Sequence, residues 1–131
     1  MSEKIRIDVP NVPKFNPVAP YSTAIKAGDF LFITGQVSTD QTNQIIGDGD
    51  IREQVRQIFR NLGEILHAAG ADYSDLVKLV YFYQHIDDVA KLAGVREEFL
   101  SEPFPAVTGV EIARLADKKL LVEIDAIAWK P

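Results

Sequence analysis

The sequence contains no cysteine. Disulfide staples, thiolate nucleophiles and cysteine-held metals are thereby excluded together. No apolar run approaches the ~18 residues that would span a bilayer, so no membrane partner is expected. The 14 Lys and Arg are scattered, and 19 Asp and Glu outnumber them to give a net charge of −5. A general grip on nucleic acid needs clustered cations facing phosphates, and this distribution argues against such a partner. The first nine residues carry charges and no apolar h-region, unlike a secretory signal. No Walker loop, dinucleotide glycine fingerprint, nucleophile elbow or His-Glu-x-x-His occurs. The expectation is a cytoplasmic protein.

The 131 residues, 47% hydrophobic and 25% charged, suit a single domain over 1–131 with one continuous core. Four of the seven prolines fall in the first twenty residues. Proline fixes φ and lacks an N–H, so 1–17 reads as an extended N-terminal arm. Residues 21–26 and 30–36 are β-rich runs around Gly28-Asp29, which predicts a hairpin. A polar loop at 38–43 and a short strand at 44–46 follow. Apolar residues at Ile51, Val55, Ile58, Leu62, Ile65, Leu66 and Ala69 share one helical face. Asp50 with Glu53 forms a capping-box pattern and Gly70 a stop, which predicts a helix over 50–69. Strands are expected at 76–83, 106–113 and 120–129, the last two joined by a polar turn at 116–119. A second helix is expected over 88–100, begun at Asp87-Asp88 and ended by Pro103 and Pro105. The fold class is α+β: a mixed sheet with two helices packed on one face. The other face, half apolar and uncovered, calls for burial against further copies of the chain.

The last strand carries the most chemistry. Side chains alternate across a strand, so Glu123 and Asp125 share a face with Cβ atoms about 6.5–7 Å apart. In a half-buried setting such a pair raises one pKa towards neutrality and can shuttle a proton. On spacing alone, a solvated face or lysine-paired carboxylates is the commoner outcome. His67 and His85 share no ligand spacing, so no metal site is implied. Asp48, Asp50, Asp87 and Asp88 read as loop and cap residues. Gly35, ending the run Phe32-Ile33-Thr34-Gly35-Gln36, marks either a bend or a close approach to the backbone.

Several segments in order resemble the reactive intermediate deaminase (Rid/YjgF) family: Ala19-Pro20-Tyr21-Ser22; Phe32-Ile33-Thr34-Gly35-Gln36; Asn61-Leu62 through Ala68-Ala69-Gly70-Ala71; Asp75-Leu76-Val77-Lys78; Phe104-Pro105-Ala106; Ala113-Arg114-Leu115; and Val122-Glu123-Ile124-Asp125-Ala126-Ile127-Ala128. The resemblance covers almost everything after Pro17. It implies a chorismate-mutase-like fold and a homotrimer with small-molecule clefts between subunits. It implies hydrolysis of reactive enamines and imines to carbonyl compounds and ammonia, without metal or organic cofactor. Carried across by position, Glu123 positions or activates water, and Tyr21, Thr34 and Gly35 line the cleft with the backbone of Ala106, Val107 and Thr108.

The chain departs from the pattern in three places. Val107 stands where catalytic members carry an arginine that binds the substrate carboxylate. Ala93 stands where an asparagine is usual, and one residue is inserted in the turn before Glu123. Arg114 belongs to a family segment and reads as a sheet-end or interface ion-pairing residue, not as a replacement. Two readings therefore stand at this stage. One is a divergent enamine/imine deaminase using Glu123. The other is a non-catalytic trimer that binds a metabolite or a protein. Ribonuclease activity, suggested by older family names, is disfavoured by the acidic charge.

Overall fold

In the computed structural model, which describes residues 3–131, six strands form one sheet: β1 (Lys4–Ile7), β2 (Ala24–Ala27), β3 (Phe30–Gln36), β4 (Leu76–Tyr83), β5 (Ala106–Glu111) and β6 (Val122–Trp129). Their order is β1-β2-β3-β6-β4-β5. All neighbours are antiparallel except β4 and β5, which run parallel. The sheet is thus mixed, as the sequence implies. The proline-rich arm contributes β1, which pairs Lys4–Ile7 with β2 at the sheet edge. Gly28 turns the β2–β3 hairpin at φ 59°, a conformation that favours glycine. The short strand expected at 44–46 is a single bridge, Thr39 to Ile45.

The one α-helix among the described residues, α1 (Ile51–Ala68), starts at Asp50, whose carboxylate accepts from the Glu53 N–H at 3.1 Å. The reciprocal half of the capping box does not form. The Asp50 N–H donates to Gly47 instead, and Glu53 turns outward to Arg60 at 3.0 Å. At the C-terminal end, Gly70 adopts φ 74°. Its N–H reaches His67 O while Ala71 N–H reaches Leu66 O, satisfying two otherwise orphaned carbonyls. The predicted stripe packs on the sheet. Val55, Ile58, Phe59, Leu62, Ile65 and Leu66 are fully buried against Leu79, Tyr81, Val122, Ile124 and Ala128.

The second helical element lies where expected but is not α-helical. Residues Ile86–Leu92 and Arg96–Glu98 are separate 3-10 turns. Gly94 at φ 83° breaks the chain between them. The guanidinium of Arg52 takes the carbonyls of Lys91 and Ala93 at 2.8 and 2.9 Å, which ends the first turn. Leu92, Val95 and Leu100 still insert into the core, so the layer is kept while its hydrogen bonding changes.

Because the helical layer covers one face, alternation leaves Glu123, Asp125, Ile127 and Trp129 of β6 on the other. Register adds Phe30 and Phe32 of β3, and Val80 and Phe82 of β4, to that open face.

Candidate functional site

The open face of β6 meets an irregularity in β3. Pairing is regular through Ile33, then shifts so that Gln36 opposes Ile124. Thr34 and Gly35 occupy this bulge, a device that re-aims the strand next to a site. Gly35 lies directly under the two carboxylates. A Cβ built there would collide with the Glu123 carboxyl group and stand 3.0 Å from Asp125 Oδ1. An alanine here would push the Glu123 carboxyl group aside, so it is this close approach, not its φ, that favours glycine.

Glu123 and Asp125 are each half-buried, and among the described residues neither forms a salt bridge. The lysine-paired alternative is therefore not formed among the described residues. Burial raises the pKa of Glu123, and the neighbouring Asp125 charge raises it further. Burial alone raises that of Asp125. Both shifts act in the direction required for a proton acceptor working near neutrality.

Tyr21, Thr34 and Gly35 line one small cavity of about 10 Å³ together with Lys14. Lys14 organises the Tyr21 side of it. Its Nζ donates to the carbonyls of Ala19 at 2.6 Å and Tyr21 at 3.1 Å, and lies 4.8 Å from the centroid of the Tyr21 ring. The Asn16 N–H donates to the Tyr21 hydroxyl at 3.4 Å. Lys14 sits in an aperiodic, proline-broken arm, so no pattern in the sequence marks it.

The remaining expected cleft residues lie elsewhere in the chain. β5 is two strands from β6, about 10 Å away. On it Thr108 opposes Val80 and receives the Lys78 ammonium at 2.8 Å, which puts it on the open face with Asp125. Phe32, Lys78, Val80 and Asp125 also line a depression of about 200 Å³ there. Val107 opposes Leu79, a core residue, so it points to the opposite face from Glu123. Arg114 is exposed and makes no ion pair among the described residues. Among the described residues no three of His, Asp and Glu converge as metal ligands would. No helix there is long and apolar enough to cross a membrane.

These features define a small α+β protein with two half-buried carboxylates on an uncovered sheet face. The profile of the family described as Endoribonuclease L-PSP matches residues 12–130. A RutC family protein of Pyrococcus horikoshii is 45% identical over 120 residues, covering 92% of this chain and 93% of that one. The 2-iminobutanoate/2-iminopropanoate deaminase of Dermatophagoides farinae is 36% identical over 128 residues, 97% of each chain. The crystal structure of RidA from the Antarctic bacterium Psychrobacter superposes with a TM-score of 0.85 at 33% identity, covering 95% of this chain and 98% of that one. The chain belongs to the Rid (RutC, L-PSP) family.

Proposed function

We propose that this protein is a cytoplasmic homotrimer that hydrolyses enamine or imine intermediates in clefts between its subunits, with Glu123 handling the proton. The observation that carries this reading is the Glu123–Asp125 pair: half-buried, without a salt bridge among the described residues, and cleared of side-chain volume by Gly35. A purely structural carboxylate in this position would be expected to hold an ion pair. The separation of the two residue groups favours assembly. Tyr21, Thr34, Gly35 and Glu123 form one set, and Ala106, Val107 and Thr108 on the edge strand form another. A neighbouring copy's second set is what completes a cleft around the first.

In the reaction, water adds to the imine carbon as Glu123 accepts its proton. The C=N π electrons move to nitrogen, which takes the proton back. The carbinolamine then collapses to the carbonyl compound and ammonia. No redox partner is involved. The support from relatives is the deaminase named above, which matches over nearly the full length.

One observation favours a second reading, a trimer that binds its ligand without turning it over: Val107 cannot pair with a carboxylate. The two readings are separated by assaying 2-iminopropanoate, generated in situ, with wild type, Glu123→Gln and Val107→Arg. Wild-type hydrolysis that falls about 10²- to 10⁴-fold in Glu123→Gln supports the enzyme. Absence of wild-type activity, with activity appearing in Val107→Arg, assigns the natural cleft to binding.

A further inference from the structure

The basic residues are scattered along the sequence, but the fold gathers three of them at one end of the sheet. The parallel strands β4 and β5 finish there side by side, with Tyr83 opposite Glu111. β6 begins there, with Val122 opposite Tyr83. The segment 112–121 that joins β5 to β6 is pinned to the end of β4. The Ile112 N–H donates to Tyr83 O at 2.9 Å, and the Gln84 N–H donates to Leu121 O at 3.0 Å. The Gln84 side chain then holds the middle of the segment. Its Nε2 donates to Ala113 O at 3.2 Å, and its Oε1 accepts from the Leu115 N–H at 3.3 Å. Between these two fixed backbones Arg114 is exposed. It lines a depression of about 660 Å³ with Gln84, His85, Leu115, Ala116 and Lys118.

Three of these six residues are basic and none is acidic. Among the described residues, none of the three forms a salt bridge. His85 precedes the 3-10 turn Ile86–Leu92, but its side chain does not cap that turn. Carboxylates of the adjoining segments are engaged elsewhere. Glu111 accepts from the Ile86 N–H at 3.1 Å, and Asp117 from the Lys119 N–H at 2.8 Å. Asp88 is buried and pairs with Lys91 at 3.0 Å. In a chain of net charge −5, a depression whose charged lining is all basic runs against the overall sign. A concave surface of one sign focuses its field and concentrates counter-ions. The volume lies in the range of small-molecule sites. None of the lining residues belongs to the two sets assigned above to the cleft.

We propose that this depression binds the phosphate group of a small phosphorylated molecule. A phosphate monoester is largely dianionic at neutral pH, and Arg114 with Lys118 supplies two positive charges to match it. The guanidinium presents a planar fork to two phosphate oxygens, and the ammonium acts as a mobile point charge. The His85 ring adds an N–H donor in either charge state. Leu115 and Ala116 give apolar surface to the organic part of the ligand. The Gln84 amide is used up in holding the segment, so its role is to position Arg114. Binding here is independent of hydrolysis at Glu123.

The test is an NMR titration of the intact protein with phenyl phosphate and with benzenesulfonate, a monoanion of similar shape. Phenyl phosphate is expected to shift the amide signals of residues 84–85 and 113–118 saturably, and to bind more tightly than benzenesulfonate. Arg114→Gln should weaken it by ~10- to 100-fold and Lys118→Gln by less, both keeping the wild-type mass by light scattering. Glu123→Gln should bind it as the wild type does. Unshifted signals, or equal affinity in Arg114→Gln, would overturn the proposal. So would equal binding of benzenesulfonate, which would leave only an unselective basic surface. Loss of binding in Glu123→Gln would move the ligand to the cleft and sink the separate site. A changed mass in Arg114→Gln would make Arg114 the partner of a carboxylate on another copy, with the same consequence. Displacement of phenyl phosphate by a short single-stranded RNA without a terminal phosphate would assign the three cations to a nucleic-acid backbone instead.

Discussion

Glu123 and Asp125 show how a single strand position sets both chemistry and stability. Their folded pKa values lie above the unfolded ones because burial penalises the charged form. Between the two values the folded chain holds more protons than the unfolded chain. Stability therefore falls as pH rises through that window and stays lowered at neutrality. Glu123→Gln is expected to raise the urea midpoint at pH 7 and to change it little at pH 4, where the native glutamate is itself largely protonated. A destabilisation of equal size at both pH values would mean that the carboxylate is held by structure. Gly35 gives the complementary experiment. The atoms that an alanine Cβ would strike belong to the end of the flexible Glu123 side chain and to Asp125, so the strand need not move. Gly35→Ala should cost less than about 1 kcal/mol in denaturant titration, within the ordinary range for a site that can adjust. Because it displaces Glu123, it should reduce hydrolysis at least about tenfold. The alternation rule places both carboxylates on one face from sequence alone. That neither forms a salt bridge among the described residues is not legible there, because it depends on which strands flank β6.

At the scale of elements, what the sequence displays is local and what it hides is not. The β2–β3 hairpin is announced by Gly28-Asp29, and α1 by its stripe, its Asp50 cap and its Gly70 stop. The insertion of β6 between β3 and β4 joins residues about ninety positions apart, and no spacing encodes it. The second helical element misleads because Leu92, Val95 and Phe99 fall at helical spacing while Gly94, at φ 83°, interrupts them. Gln54 is the instructive omission. It falls between Ile51, Val55 and Ile58 on the apolar stripe, and a polar residue at a core-facing position is the signal that was available. Its amide is fully buried. The Nε2 group donates to Gly47 O at 3.1 Å and Lys119 O at 2.8 Å, and Oε1 accepts from Leu121 N at 2.8 Å. This side chain ties the start of α1 to the turn that delivers β6, and hence Glu123, to the sheet. Gln54→Leu leaves a buried N–H and two carbonyls without their partner, so a loss of roughly 2–4 kcal/mol is expected in urea unfolding. A loss under about 0.5 kcal/mol would show that water replaces the amide.

For the molecule as a whole, the decisive feature is the face that the helical layer does not cover. Phe30, Phe32 and Trp129 stand there, with Trp129 46% exposed, beside Ile127 and Phe82 of β4. The Phe30 and Phe32 centroids are 6.3 Å apart, which makes a contiguous aromatic surface rather than scattered apolar residues. The proposed trimer buries this surface and brings the two sets of cleft residues together, so assembly and activity should be lost as one. Phe32→Lys tests this without disturbing the core, because Phe32 faces away from α1. The expected outcome by light scattering is a fall from about three chain masses to one, with hydrolysis lost in parallel. The single tryptophan reports the same event optically. Trp129 opposes Phe30 across β6 and β3, so its emission should shift to the red when the variant exposes it to water. A variant that keeps the wild-type mass and emission while losing activity would place Phe32 in ligand contact rather than between subunits. A monomeric variant that retains full hydrolysis would mean that the edge strand β5 of a neighbour is not needed to complete the cleft.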